Sequence, residues 1–354
     1  IWNISCDSFQ YLNSKPLFRR SVDVCVPIEV EEESPEFVNF CEHVFDQKNY
    51  TQKKQVLYEI IGYAISDIEN VKKAIFLIGP SNTGKSVILR FIQRLVGEEN
   101  VSNISLDNFA HRFSVAEMAG KCLNISGEVP SGMLTGKALD IFKNLTGGDK
   151  IEIEKKGCQP SSAKITTKLL FAGNTLPVFS NVDGTDSLVE RLHIILFDKQ
   201  VEESERDKDL ENKLWEQRDL IVRYALTAVH RFVSKNKEFI VLDDEKQLLQ
   251  SIAKTANPVS YFLGSCMEYG EEYYIHISDA YEAFRKFAAE EALPDVPRTI
   301  FRNMVAMHAN VCVCKTKKRL GKGSPKSCFQ GIKLKNYLYD KKQDTEMYDT
   351  EEEI

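Results

Sequence analysis

The octapeptide Gly79-Pro80-Ser81-Asn82-Thr83-Gly84-Lys85-Ser86 constrains this chain more than any other stretch. It lies between an apolar run, Ala74 to Ile78, and a segment of helical periodicity, Lys85 to Val96. Glycines at that spacing let backbone N–H groups wrap phosphate oxygens, and the N-terminus of the following helix adds partial positive charge. Lys85 then reaches the β and γ oxygens, and Ser86 offers a hydroxyl to Mg²⁺. The competing reading is a chance match, against which the flanking strand and helix argue. The pattern implies ATP and Mg²⁺ as cofactors and an α/β core built around a phosphate loop.

At 354 residues the chain has room for two or more cores, and 43% hydrophobic with 28% charged residues is ordinary for a globular protein. No apolar run approaches the roughly 20 residues of a membrane span, and the start carries no signal-peptide pattern, so a cytoplasmic protein is expected. Nine scattered cysteines read as free thiols. Cys312, Cys314 and Cys328 form the only close group; a zinc site would need a fourth ligand and better spacing, with only His308 nearby, so ordinary buried thiols are expected. The first residue is Ile1 rather than Met, which suggests a segment of a longer polypeptide.

Net charge is −6, yet residues 298 to 335 hold ten Lys or Arg and no Asp or Glu, whereas Asp340 to Glu353 hold seven acids and two lysines. The periodicities divide the chain accordingly. Residues 1–35 are an uncertain N-terminal segment with an acidic linker, 36–70 a small helical bundle, and 71–200 the phosphate-loop core with alternating strands and helices. Within that core, strands are expected at Cys122 to Ser126, Leu169 to Ala172 and Ile194 to Phe197. Residues 201–255 read as a helical segment, 207 to 233 being one helical stretch. Residues 256–335 form a last unit with helices around Ser278 to Glu290 and Val296 to Ala309 and a basic hairpin, and 336–354 are an acidic tail.

Hydrolysis needs an acid at a second strand end. Glu128, ending Cys122-Leu123-Asn124-Ile125-Ser126-Gly127-Glu128, fits that place, against the plainer reading of a surface glutamate. Asn174, after Leu169-Leu170-Phe171-Ala172-Gly173, suits a group that senses the γ-phosphate or positions water.

The order of GPSNTGKS, CLNISGE, LTGGDKIEIEKK, KLLFAGNTLP and SLVERLHIILF resembles superfamily 3 helicases, specifically the phage and plasmid primase-helicase family related to poxvirus primase-helicases. The likeness spans roughly residues 36 to 335 and is strongest between 74 and 198. It implies an AAA+-like P-loop ATPase core with an N-terminal helical bundle and a C-terminal winged-helix domain. It also implies a homo-hexameric ring, translocation on single-stranded and forked DNA with 3' to 5' polarity, and a bacterial host cell or its equivalent. A primase domain or partner upstream is a further implication. By the same resemblance Lys85 and Ser86 match the Walker A pair, Glu128 the Walker B acid, Asn174 the motif C asparagine and Arg191 the arginine finger. Without it, Arg191 reads as a surface or ion-pairing arginine. Two departures stand out: Gly127 where a second acid is common, and Glu190 where paired arginines are. They keep open the alternative of an ATP-switched, DNA-binding replication initiator that does not unwind. A packaging-type motor is a third class, against which Asn174 and the basic last unit argue.

In the related helicases a hairpin before motif C points into the ring channel. Here Lys155 and Lys156 would hold phosphates there, or form a solvated tip. In the last unit Arg298 and Arg302 would sit on a recognition helix and Lys315, Lys317, Lys318, Arg319, Lys322 and Lys326 on a wing. Nucleic acid is the expected contact, and a partner protein's acidic face the competing one.

Overall fold

The structure, a computed structural model, describes residues 2–3, 8–9, 22, 24–27, 32–69, 71–130, 132–134, 136–157, 159–179, 188–308, 311–314, 317–320 and 324–335. The acidic tail 336–354, Lys315, Lys322 and most of the segment 1–35 lie outside the described residues. The chain forms two compact units, Ile1–Ser180 with Ser187–Leu249, and Asn181–Asp186 with Gln250–Ile354. Their boundary falls inside one helix, Asp243–Ala256.

In the first unit, helix α1 (Pro35–Val44) starts where the Ser34 hydroxyl accepts the Phe37 amide at 3.2 Å, with proline in the first turn. Helix α2 (Tyr50–Ile65) follows, then strand β1 (Ala74–Ile78), helix α3 (Lys85–Val96), strand β2 (Val101–Ser102) and strand β3 (Leu123–Ser126). Helix α4 (Gly136–Gly147) leads into a hairpin of β4 (Lys150–Ile153) and β5 (Ser161–Lys164). Strands β6 (Lys168–Gly173) and β7 (Leu192–Leu196) complete a five-stranded sheet in the order β7-β1-β6-β3-β2. All its pairings are parallel. Its strands are buried along nearly their whole length, as a sheet covered on both faces requires. This is the architecture of a P-loop ATPase core.

Helices α5 (Leu210–Glu216), α6 (Arg218–Ser234) and α7 (Asp243–Ala256) close the unit. The single helical stretch expected over 207 to 233 is thus two helices. The break falls at Gln217, whose side-chain carbonyl accepts the Glu36 amide at 3.3 Å and the Ser34 hydroxyl at the start of α1. The boundary expected at residue 70 separates no cores. Phe37, Val44, Ile60 and Ile61 share one apolar cluster with Leu77, Ile92, Ile195 and Val229. Two helices spanning about thirty residues cannot bury their own faces, so they complete the core of the sheet instead.

Two buried polar groups fasten α7 to β7. The Lys53 ammonium, fully buried on α2, contacts Asp198 at 2.7 Å, Asp244 at 3.0 Å and the Leu196 carbonyl at 2.8 Å. Glu245 accepts the Ile194 amide at 2.7 Å and faces His193 Nδ1 at 3.0 Å, and the His193 ring stacks on Phe239.

The second unit contains α8 (Pro258–Cys266), β8 (Met267–His276), α9 (Ile277–Glu290), α10 (Arg298–Met307), β9 (Cys312–Val313) and β10 (Cys328–Leu334). The strands form an antiparallel sheet in the order β8-β10-β9. Phe262, Phe284, Phe301 and Phe329 fill its core. The strand β8 goes unmarked in the sequence because Glu268, Glu271 and Glu272 interrupt its apolar alternation. No helix among the described residues is long and apolar enough to cross a membrane.

Candidate functional site

Parallel strands direct all their C-terminal ends to one edge of the sheet, where α/β folds place ligands. The phosphate loop leaves β1 there, Asn174 follows the last residue of β6, and Glu128 lies two residues beyond β3. Ser81 to Val87, Gly127 to Pro130 and Gly173 to Thr175 line a single cavity of about 980 Å³. The Gly79 amide donates to the Gly173 carbonyl at 3.1 Å, which holds the start of the loop against the end of β6.

Gly84 has a φ of 81°, and a Cβ there would meet the Phe40 ring at 2.6 Å, so both the backbone conformation and the space require glycine. Lys85 is 8% exposed. Its ammonium donates to the carbonyls of Gly79 (2.6 Å) and Pro80 (2.5 Å) and to the Thr83 hydroxyl (3.0 Å). Burial holds its pKa below the ordinary lysine value. An anion in the loop would supply the countercharge that this environment lacks.

Glu128 does not end its strand: β3 stops at Ser126, whose hydroxyl donates to the Glu128 carbonyl at 2.9 Å. That bond turns the chain at Gly127, and the Glu128 side chain is exposed on the cavity wall with Ser86. A hydroxyl and a carboxylate suit Mg²⁺, which takes few protein ligands and keeps waters and phosphate oxygens. Among the described residues no group of three His, Cys, Asp or Glu side chains is arranged for a metal. Cys328 is buried, Cys314 half-buried and Cys312 exposed, so the expectation of buried thiols holds for Cys328 alone. Cys312 is exposed because it lies on the edge strand β9. His308 stacks on Tyr269.

Other cavity residues carry no sequence signal. Asn39, Phe40 and His43 of α1 line it, as do Arg206 and Lys213. The chain after β7 returns across the phosphate loop: Gln200 Nε2 donates to the Ser81 carbonyl at 3.0 Å and the Val201 amide to Asn82 at 3.0 Å. Arg206 Nε in turn donates to the Val201 carbonyl at 3.1 Å. The Lys213 charge faces Asp207 at 2.6 Å.

Arg191 immediately precedes β7, at the opposite edge of the sheet, and does not line this cavity. Its Nη1 donates to the Lys143 carbonyl (3.0 Å) and the Thr146 hydroxyl (3.1 Å) on α4. Lys155 and Lys156 are exposed between β4 and β5, where Ile153 pairs with Ser161 and Gly157 turns at a φ of 79°.

In the second unit Arg298, Arg302, Lys317 and Lys326 line one concave surface of about 610 Å³. Lys318, expected beside them, instead sets its ammonium 3.3 Å from the centre of the Tyr274 ring, since its backbone pairs with Lys326 and turns the side chain onto β8. Arg319 is exposed but does not line that surface.

Residues 77–191 match a family model described as a family of unknown function (DUF5906). Among curated proteins the chain is 25% identical over 213 residues to "Putative helicase 121R" of Invertebrate iridescent virus 3, covering 57% of this chain and 22% of that protein. The chain thus corresponds to under a quarter of that relative's length. Among solved structures, an apo form of the NrS-1 C terminal region is 15% identical with a TM-score of 0.55, covering 88% of this chain and 78% of that one. Another, the A form, is 16% identical with a TM-score of 0.53 and coverages of 89% and 79%. At this identity the likeness is one of fold. With three of the five ordered motifs on one cavity, the parallel sheet beneath them and "Putative helicase 121R" among the relatives, the chain is superfamily 3 helicase-like.

Proposed function

We propose that the chain is an ATP-dependent DNA helicase, working as a hexameric ring in the replication of a phage, plasmid or other mobile element. One observation carries the reading: the phosphate loop, Glu128 and Asn174, far apart in the chain, line a single cavity large enough for a nucleotide. Lys85 would neutralise the β and γ oxygens, while the amides of Ser81 to Ser86 cradle them. Ser86 and Glu128 would hold Mg²⁺, which supplies charge neutralisation at the transferring phosphoryl group. Glu128 would also orient the attacking water, and Asn174 would sense the γ-phosphate. Arg191, at the opposite sheet edge, is suited to a neighbouring subunit's nucleotide rather than its own, where its fixed charge would stabilise the transition state. Lys155 and Lys156 would grip single-stranded DNA, and the second unit would serve as a winged-helix-like DNA contact.

Gly127, where the family commonly has a second acid, favours one other reading, an ATP-switched initiator that binds DNA without unwinding it. Hydrolysis measured with and without single-stranded DNA separates them. Glu128→Gln is expected to lower turnover by about 10²–10⁴ with nucleotide binding retained. Arg191→Ala is expected to cost about 10³ or more, and a ring-sized species should accompany the activity. Nucleotide binding with negligible turnover in the native chain and no strand displacement would instead establish the switch.

A further inference from the structure

We infer that α1 and the chain after β7 hold the nucleoside of the bound nucleotide, with His43 reading the exocyclic amine of adenine and Arg206 covering the face of the base. The inference rests on the ATP reading above and names the residues that set its base specificity. The order of the sheet sets the direction. In β7-β1-β6-β3-β2 the phosphate loop leaves β1, while Glu128 and Asn174 follow β3 and β6, which lie on one side of it. Strand β7 lies on the other side. A nucleotide whose terminal phosphate points to Glu128 and Asn174 therefore extends its sugar and base toward the exit of β7, where the cavity continues between α1 and the segment 201–213.

Helix α1 turns one stripe to that space. Glu36, Asn39, Phe40 and His43 line the cavity, and their spacing of i, i+3, i+4 and i+7 places them on one side of the helix. Phe40 and Val44 lie against Gly84 of the phosphate loop, and the Lys199 amide donates to the Val44 carbonyl at 3.3 Å, so the stripe is fixed relative to both the loop and the exit of β7. Phe40 is buried by this packing, whereas Asn39 and His43 stay exposed to the cavity.

The His43 ring is held in one protonation pattern. Its Nδ1 lies 2.8 Å from the Asn39 carbonyl, one turn back along the helix. A carbonyl only accepts, so the proton of the neutral imidazole sits on Nδ1 and the distal Nε2 presents a lone pair. An acceptor there is satisfied by the amine of a 6-amino purine and opposed by the oxygen of a 6-oxo purine. On the facing wall, Arg206 Nε donates to the Val201 carbonyl at 3.1 Å, and the Val201 amide donates to the Asn82 carbonyl at 3.0 Å. The guanidinium is thereby tethered to the phosphate loop through two successive bonds. Such a plane is a stacking surface for a base, and Val201 and Leu210 add apolar surface beside it.

Calorimetric titration of the full chain with ADP, IDP and pyrophosphate, in Mg²⁺ at pH 8, tests this, since IDP carries an oxygen where ADP carries the amine. The native chain is expected to bind ADP about tenfold more tightly than IDP, the value of one hydrogen bond, and pyrophosphate more weakly than either. In His43→Phe, which keeps a flat ring without the acceptor, ADP is expected to fall to the level of IDP with pyrophosphate unchanged. Arg206→Gln is expected to weaken both nucleotides about threefold while pyrophosphate holds. Both side chains are exposed, so the melting temperature is expected to stay at the native value. Equal binding of ADP and IDP by the native chain overturns the inference, as does an ADP preference that survives in His43→Phe. If Arg206→Gln loses pyrophosphate as much as ADP, that arginine serves the phosphates and its place on the base is overturned. ADP bound no better than pyrophosphate defeats the nucleoside site and leaves the phosphate loop standing, whereas a native chain that binds none of the three defeats the ATP reading itself.

Discussion

Lys85→Ala is expected to weaken nucleotide binding about ten- to a hundredfold and to lower hydrolysis by a further ~10²–10³. The first loss follows from removing a charge-assisted contact to the β and γ oxygens, worth about 1.5–3 kcal/mol. The second follows because charge on those oxygens grows toward the transition state, where a fixed cation in a partly dry cavity counts most. The side chain also clasps its own loop through Gly79, Pro80 and Thr83. Lys85→Arg separates the two contributions: charge is kept, but a planar fork replaces a point donor and does not fit the clasp. Titration with a fluorescent nucleotide and steady-state hydrolysis together test this. Native-like turnover in Lys85→Ala would remove the cavity from the chemistry. Mixing Lys85→Ala with Arg191→Ala chains then tests the division of labour between subunits. Partial recovery of hydrolysis is expected if Arg191 serves a neighbour, and none if it acts within its own chain.

The largest effect on stability is expected at Lys53. Breaking a buried charge cluster by removing one partner costs about 3–5 kcal/mol. Here the lower end, about 3 kcal/mol, is expected, because Asp198 and Asp244 keep 32% and 25% of their side-chain surface in water. Lys53→Met retains the apolar stem and isolates the charge, and Lys53→Ala adds the loss of packing beside Phe45. Urea unfolding followed by circular dichroism in the transition of the first unit measures both. Lys53→Met within about 0.5 kcal/mol of the native chain would mean that the cluster sets only the position of α7, with no net stabilisation.

The candidate site residues belong to local sequence patterns, and for that reason they are legible there. A phosphate loop must be contiguous, because its amides have to converge on one anion. Its flanking strand and helix announce themselves by period, and Glu128 and Asn174 are marked as polar residues following apolar runs. Their meeting is a consequence of parallel pairing, which the alternation of strands and helices already implies.

What the local patterns do not encode is whatever depends on two distant segments touching. Nothing near Phe40 or Arg206 marks them as walls of the cavity; they arrive there because α1 packs on the phosphate loop and the chain after β7 returns over Ser81 and Asn82. The division into cores is likewise tertiary, since α1 and α2 have apolar faces too large to close on each other and are buried by the sheet together with α3, α5 and α6. The basic run at 298 to 335 is plain in composition, yet only folding separates its members. Lys318 is spent on Tyr274, while Arg298, Arg302, Lys317 and Lys326 converge. The sequence by itself determined the phosphate-loop pattern, the parallel α/β core and the two polar residues, Glu128 and Asn174, that follow apolar runs, because each is a short-range pattern. The tertiary structure decided which charges remain available to a ligand, because a side chain's partner is set by what the fold brings within a few ångströms of it.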